Sequence, residues 1–522
     1  MKLLLTLSAV LLASLLQAQV PDVQHYDFQL QLSDQHDSIR GVATIRFQYT
    51  DTFSSVRFNL AGLQRGKGMR VNEVRAKDKR IAFSHQQNDL FIDMRGLDRQ
   101  QPEQEVVIQY AGIPADGLII SRNKYGSRTF FADNWPNRAH HWLPCNDRPD
   151  DKASVRFSVT APAHYQVIAN GLQVEETNAG KGLKQTVWQE PTPIPTKVMV
   201  IGVAEMAVGL LDSAAGVPVS AWVYPQDREK GFKDFALTKG MLDYFHQYIG
   251  PYPFKKLANV QSRTRFGGME NASAIFYEEN TPTGKGTHED RMAHEVAHQW
   301  FGDMVSEKSF AHLWISEGFA TYCTNLYWEY KYGKAAFEDR LRAERQQVVD
   351  FVAHNKTSVV NTTSDLQSLL NANSYEKGGW FLHMLRRKLG DAVFRQVLQA
   401  FYKNYAGANA DTRDFQKLAE EISRQNLQPF FDQWLYHPGV PRLNITWAHS
   451  RGKVQLQLQQ TGETIYHFPL ELAFVDAKGK QTLHRIQVNK VKERYELPSR
   501  EKPTVILLDP NVNLLFEGTI RE

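Results

Sequence analysis

His294-Glu295-Val296-Ala297-His298-Gln299-Trp300 sets two histidines four residues apart, with a glutamate beside the first. On a helix, residues four apart lie one turn above each other. The spacing therefore predicts that His294 and His298 offer two imidazole nitrogens to one ion while Glu295 stands alongside, the pattern of a zinc site. Upstream, Gly284 and Gly286 lead to Thr287, the expected N-cap. Met292, Ala293, Val296, Ala297 and Trp300 then recur at helical spacing until Gly302 offers a stop. The motif is expected on a helix buried on more than one face.

A catalytic zinc site has three protein ligands and one open position for water. Leu313-Trp314-Ile315-Ser316-Glu317-Gly318-Phe319-Ala320 supplies the candidate third. Glu317 is expected near the start of a second helix that runs to about Gly333, in an apolar setting where an unpaired carboxylate is costly. The competing reading is an exposed glutamate favoured there by the helix dipole.

With 522 residues the chain exceeds what one hydrophobic core organises, so two to four domains are expected. A content of 42% hydrophobic and 23% charged residues is that of an ordinary soluble globular protein, and a net charge of +4 with no long basic run gives no case for nucleic acid. Met1 and Lys2 precede an apolar run from Leu3 to Leu16, and Leu16-Gln17-Ala18 has small-residue cleavage character. Residues 1–18 thus read as a signal peptide, too short for a membrane span and followed at once by polar sequence. The expectation is an exported protein, periplasmic or secreted, with no membrane span in the mature chain and no lipid-anchoring cysteine after the run. Cys145 and Cys323 are the only cysteines, and they are expected as two buried free thiols.

From residue 19 to 212, short alternating runs such as Tyr26-Asp27-Phe28-Gln29-Leu30 and Val155-Arg156-Phe157-Ser158-Val159 are separated by Gly, Pro, Asn and Asp clusters, which predicts an antiparallel β domain. Asp133 to Arg138 and Trp142 to Pro149 stand apart as a structured loop that is either a solvated connector or the lining of a pocket. From 213 to 437 the period becomes helical, at Phe232–Tyr248, Ala335–Ala353, Ser364–Leu370, Glu376–Leu389 and Asp391–Tyr405. From 438 to 522 alternation returns, with Val454, Leu456 and Leu458 among polar residues, which predicts a small C-terminal β-sandwich. The fold class is a multidomain α+β protein.

Four blocks occur in order: Gly267-Gly268-Met269-Glu270-Asn271, the His294–His298 motif, Trp314-Ile315-Ser316-Glu317-Gly318 and Ser374-Tyr375-Glu376-Lys377-Gly378. Together they resemble the gluzincin zinc aminopeptidases, the family of aminopeptidase N and the leukotriene hydrolases. The resemblance implies a thermolysin-like catalytic domain between the two β domains, in a short bacterial-type member without the family's large C-terminal helical domain. It implies one Zn2+ per chain held by His294, His298 and Glu317, with Glu295 as general base and Tyr375 as donor to the reaction oxyanion. The Gly267–Asn271 block would bind substrate, with Glu270 on the free α-amino group. Pro144-Cys145-Asn146-Asp147-Arg148-Pro149 resembles the family's block beside the active site.

There are two departures. Gly268 stands where the family usually has alanine, a small-for-small change expected to matter little. Asp133 falls where the family commonly has Gln or Glu to help hold the amine, and is shorter.

The implied function is hydrolysis of the N-terminal residue from peptides with a free N-terminus. A zinc endopeptidase or an epoxide hydrolase on the same scaffold competes with it, and amino-blocked peptides would separate them. A non-catalytic peptide-binding protein is the third reading, against which stands the presence of every ligand and the base. Each residue also has a plainer alternative: Glu270 as a surface residue of a Gly-rich turn, Tyr375 as an ordinary buried tyrosine.

Overall fold

The computed structural model of the protein describes residues 18–49, 53–95 and 101–522. Residues 1–17, which hold all but the last residue of the expected signal peptide, lie outside the described residues. The chain gathers into two compact units, one of residues up to Ser309 with Tyr405–Asn409, the other of Phe310–Asn404 with Ala410–Glu522. These units cut the chain elsewhere than at 212 and 437, because the helices that follow Phe310 pack with the last strands.

In the first unit, an eight-stranded sheet runs in the order Leu172–Gly180, Leu183–Pro195, Lys152–Pro162, Asp22–Gln31, Ile39–Gln48, Glu103–Ile113, Gly68–Ala76, Lys79–Arg80. The expected alternation is what builds it: Val23, Tyr26, Phe28 and Leu30 are buried, with polar residues between them. All neighbours are antiparallel except Lys152–Pro162 and Asp22–Gln31, which run parallel from Ser154 opposite His25 to Thr160 opposite Gln31.

A five-stranded sheet then begins at Ala207, so a boundary after residue 212 would split the strand Ala207–Ala214. That strand is a largely exposed edge whose pattern continues that of the preceding strands, which is why the change of sheet is not visible locally. The sheet order is Ala207–Ala214, Val217–Val223, Leu257–Ser262, Ala274–Glu278, Gly268–Met269, with the middle three parallel. Parallel neighbours require a crossover, supplied between Val217–Val223 and Leu257–Ser262 by the helices Arg228–Phe235 and Thr238–Tyr248. The single helix expected over Phe232–Tyr248 is thus two, broken where the Thr238 hydroxyl donates to the Phe235 carbonyl at 2.7 Å. Leu257–Ser262 escaped the hydropathy reading because its buried run includes Asn259, Gln261 and Ser262, each satisfied by hydrogen bonds.

The second unit opens with Trp314–His354, interrupted at Gly333 (φ 85°), where a stop was expected. Only Leu366–Leu369 of the expected Ser364–Leu370 helix is helical, as one 3-10 turn. The helix expected from Glu376 instead runs from Gly378 to Leu389, entered through a π turn at Asn373–Lys377. Trp314, Phe319, Phe381, Phe401, Phe415 and Phe431 form its aromatic core, with neighbouring ring centroids 4.8–5.5 Å apart. The chain ends in a four-stranded and a three-stranded sheet, with Val454, Leu456 and Leu458 buried as expected. Cys145 and Cys323 are buried free thiols, and burial pushes both thiol pKa values up. No helix among the described residues is long and apolar enough to cross a membrane.

Candidate active site

The motif helix spans Glu289–His298 in the first unit and buries Met292, Ala293, Glu295, Val296, Ala297 and His298. Its N-cap is His288, without a side-chain cap bond, and not the expected Thr287. Glu289 and Asp290 occupy the first turn, where negative charge complements the helix dipole. The Nε2 atoms of His294 and His298 lie 2.9 Å apart. His298 Nδ1 is 3.0 Å from the Phe301 carbonyl, which can only accept, so Nδ1 carries the proton and Nε2 presents a lone pair.

The short strand Gly268–Met269 pairs with Phe276 and Tyr277 and delivers Glu270 to the same place. Ligand atoms of Glu270, Glu295 and His298 all lie within 4.8 Å of one another, and the three side chains are 5%, 6% and 1% exposed. Gln299 anchors this junction. Its Nε2 donates to the Glu270 carbonyl at 2.6 Å and to Asp303 Oδ2 at 2.9 Å, while its Oε1 accepts from the Ser273 N–H at 2.8 Å. The Glu270 side chain is left with Oε1 buried and without a hydrogen-bond partner, as are both polar atoms of Asn271. Buried carboxylate oxygens in that state are costly.

Gly267 and Gly268 lie against the motif helix. A Cβ on Gly268 would stand 2.2 Å from Glu295 Oε1, and one on Gly267 would stand 2.7 Å from Arg291 Nε. The atoms that a Cβ on Gly268 would meet are the movable end of the Glu295 side chain.

Asp133 does not present a free carboxylate. It is fully buried, with Oδ1 2.6 Å from Arg138 Nη2 and Oδ2 accepting from the Arg265 N–H at 2.9 Å. Through Arg265 it joins the segment that leads into Gly267–Asn271, where Trp135 makes an edge contact on Phe266 at 5.8 Å. The Pro144–Pro149 block is equally built in. Asp147 accepts from Thr196 Oγ1 at 2.9 Å and His140 Nδ1 lies 2.8 Å from it, so the solvated-connector reading fails.

Beneath the site lies a set of buried charges absent from the sequence reading. Lys197 Nζ is 2.6 Å from Glu307 Oε1, both essentially inaccessible. Burial opposes the Lys197 charge, but Glu307, Glu270 and Asp303 outweigh it and raise its pKa. Burial, reinforced by Glu270, pushes the Asp303 carboxyl well up. Lys152 Nζ donates to the carbonyls of Asp303 and Met304 at 3.1 and 2.8 Å, fixing the turn after the helix.

In the second unit, Glu317 lies in the first turn of its helix and is 4% exposed, which excludes the exposed-glutamate reading. Gly318 and Gly378 approach so closely that a Cβ on Gly318 would stand 2.9 Å from Gly378 Cα. That contact fixes the turn of Glu317 against the π turn bearing the half-buried Tyr375.

Residues 22–198 match the model of the peptidase M1 N-terminal domain, and residues 234–434 match that of the peptidase family M1 domain. Glutamyl aminopeptidase of Sus scrofa is 27% identical over 329 residues, covering 60% of this chain and 35% of the relative. Its counterpart in Bos taurus is 25% identical over 459 residues, covering 81% and 47%. The matched region thus spans about a third to a half of the curated relatives' length. In fold, the chain is similar to a Legionella pneumophila aminopeptidase A solved with aspartic acid, with a TM-score of 0.82 and 15% identity, covering 96% of this chain and 60% of that one.

Proposed function

The chain belongs to peptidase family M1, and from that premise we propose that it is a zinc-dependent aminopeptidase acting on peptides with a free N-terminus. The observation that carries this reading is the buried, unpartnered Oε1 of Glu270 beside Glu295 and His298. A terminal ammonium satisfies such an oxygen by a charge-assisted bond, whereas an internal stretch of peptide brings no charge to it. Binding there aligns the first peptide bond, and only that bond, with the reacting groups.

The donor set fits zinc. His298 is held in the tautomer that leaves Nε2 bare by a hydrogen bond to a backbone carbonyl, the usual outer support of a ligating imidazole. The proposed ligands are His294 and His298 with, as the resemblance implies, Glu317; two imidazoles with a carboxylate suit a catalytic zinc site. When bound, zinc supplies a Lewis acid that brings the pKa of a water toward neutrality. Glu295 takes the proton of the attacking water and returns it to the departing amine. The Tyr375 hydroxyl donates to the carbonyl oxygen as negative charge develops on it.

The test is a panel of fluorogenic aminoacyl substrates and their N-acetylated forms, with and without a chelator. The panel includes acidic residues, because the relatives are named glutamyl aminopeptidases. Hydrolysis of the free-amine forms alone, abolished by the chelator, is expected. Equal hydrolysis of blocked forms overturns the role of Glu270. We also propose export, on the basis of residues 1–18; a protein that fractionates with the cytoplasm, its first 18 residues retained, overturns that.

A further inference from the structure

We infer that Gln299 is a positioning residue for Glu270, resting on the aminopeptidase reading: its side-chain amide staples the turn that begins at the amine anchor to the helix that carries His294, Glu295 and His298. Gln299 is fully buried and directly follows His298. A primary amide has two N–H donors and one carbonyl acceptor, and here each has a partner. Nε2 donates to the Glu270 carbonyl at 2.6 Å and to Asp303 Oδ2 at 2.9 Å. Oε1 accepts from the Ser273 N–H at 2.8 Å, with the Tyr252 hydroxyl 3.3 Å away. The reversed amide would set Oε1 against two acceptors and Nε2 against a donor, so only one orientation satisfies the site.

The amide is itself held from the helix side. The Gln299 N–H donates to the Val296 carbonyl at 3.2 Å, and the Asp303 N–H donates to the His298 carbonyl at 3.1 Å. Across the gap it grips the turn Glu270–Ser273 by its first carbonyl and its last N–H. The far end of that turn has other supports: Asn170 Nδ2 donates to the Ala272 carbonyl at 2.7 Å, the Gly171 N–H to Ser273 Oγ at 2.8 Å, and Lys256 Nζ to the Ser273 carbonyl at 2.9 Å. Around Glu270 the structure supplies less, since its Oε1 and both side-chain polar atoms of Asn271 are buried without a hydrogen-bond partner. One amide therefore spans the gap between the residue that receives the ammonium and the neighbour of a proposed zinc ligand. It sets the distance over which the first peptide bond is aligned, and a displacement of about 1 Å in such a group can cost a factor of about a hundred in rate. Because Glu295 and the two histidines stay on their helix, the loss falls on the grip on the free amine.

The experiment is a double-mutant cycle of Gln299→Met and Glu270→Ala on the zinc-loaded protein, read on free-amine and N-acetylated forms of one fluorogenic substrate. Gln299→Met keeps the length of the side chain and removes every hydrogen bond it makes. Alone, it should lower kcat/KM for the free-amine form by about tenfold to a hundredfold, most of it in KM. Zinc content and the rate on the N-acetylated form should not change, and a crystal structure should show the Glu270 carbonyl displaced by about 1 Å. In the Glu270→Ala background the same substitution should cost less than about threefold, since a residue that acts through another is not additive with it.

Equal losses in both backgrounds, a loss confined to kcat, parallel losses on the two substrate forms, or an unmoved Glu270 overturns the inference. Should Gln299→Met fail to fold, Gln299→Glu is read in the same way, because it keeps the shape and the acceptor for the Ser273 N–H and replaces only the Nε2 donor. Failure of both to fold assigns Gln299 to the stability of the fold and overturns the inference. Wild-type protein inactive on free-amine peptides sinks the aminopeptidase reading alone, and the crystallographic position of Glu270 in Gln299→Met still decides whether Gln299 holds it.

Discussion

His294 and His298 bring their Nε2 atoms to 2.9 Å of each other, one turn apart on the same helix. Two lone pairs that close repel unless a proton or a cation lies between them, and the Nδ1 proton of His298 is already committed to Phe301. Dialysis against a chelator is therefore expected to remove activity, and Zn2+ to restore it. His298→Ala should reduce zinc from about one ion per chain to near zero, measured by atomic emission on the folded protein.

Glu295→Gln keeps the shape of the side chain but cannot accept a proton. Zinc content should stay at the wild-type level while kcat falls by about a hundredfold to ten-thousandfold. Turnover near the wild-type rate would remove Glu295 from the mechanism.

Glu270→Ala removes the buried acceptor for the ammonium. The kcat/KM for free-amine substrates should fall by about a hundredfold, while that for N-acetylated substrates stays at its already low value. The quantity to compare is the ratio of the two, which a general loss of folding would leave unchanged.

Lys197→Met leaves Glu307 buried without its counter-charge. Breaking a buried pair in this way costs about 3–5 kcal/mol, and a clear drop in melting temperature is expected. Adding Glu307→Gln should recover much of the drop, because the orphaned charge, and not the lost attraction, carries most of the cost. Calorimetry of the two variants checks this.

Asp151 is held up to a pKa of about 7, chiefly by burial and despite hydrogen bonds from Val23 and Asn146. Its folded pKa lies above the unfolded value, so between about pH 4 and pH 7 the folded state holds a proton that the unfolded state has lost. Stability from this group is thus complete at the acid end of that window and declines as pH rises through it. Asp151→Asn keeps an acceptor for the Val23 N–H and cannot ionise. The variant should melt a few degrees above wild type at pH 8 and lose that advantage near pH 4, as read by thermal scans at both values.

Much of the site was legible because its signals are local. The pairing of His294 with His298 follows from the helical period, and the burial of Glu317 from the apolar residues around it. The N-cap was misread at Thr287 because nearby Gly284 and Gly286 suggested a turn ending there, whereas Asp234 holds that turn through the N–H groups of Thr283, Gly284 and Gly286. The strand Leu257–Ser262 was missed because buried polar residues are indistinguishable from exposed ones until their partners are known.

By itself, then, the amino-acid order determined the β-helix-β succession, the two-histidine helix and the candidate donors, all of which depend on backbone period and residue chemistry over a few positions. Tertiary structure alone decided which partner each polar group obtained. It gave Asp133 to Arg138 and Arg265, brought Lys197 within the influence of Glu270, and seated Glu295 in the space left open at Gly268. The reason is competition: a buried polar group takes whichever partner the packing of distant segments brings within reach, and nothing in its own neighbourhood of the chain specifies that partner.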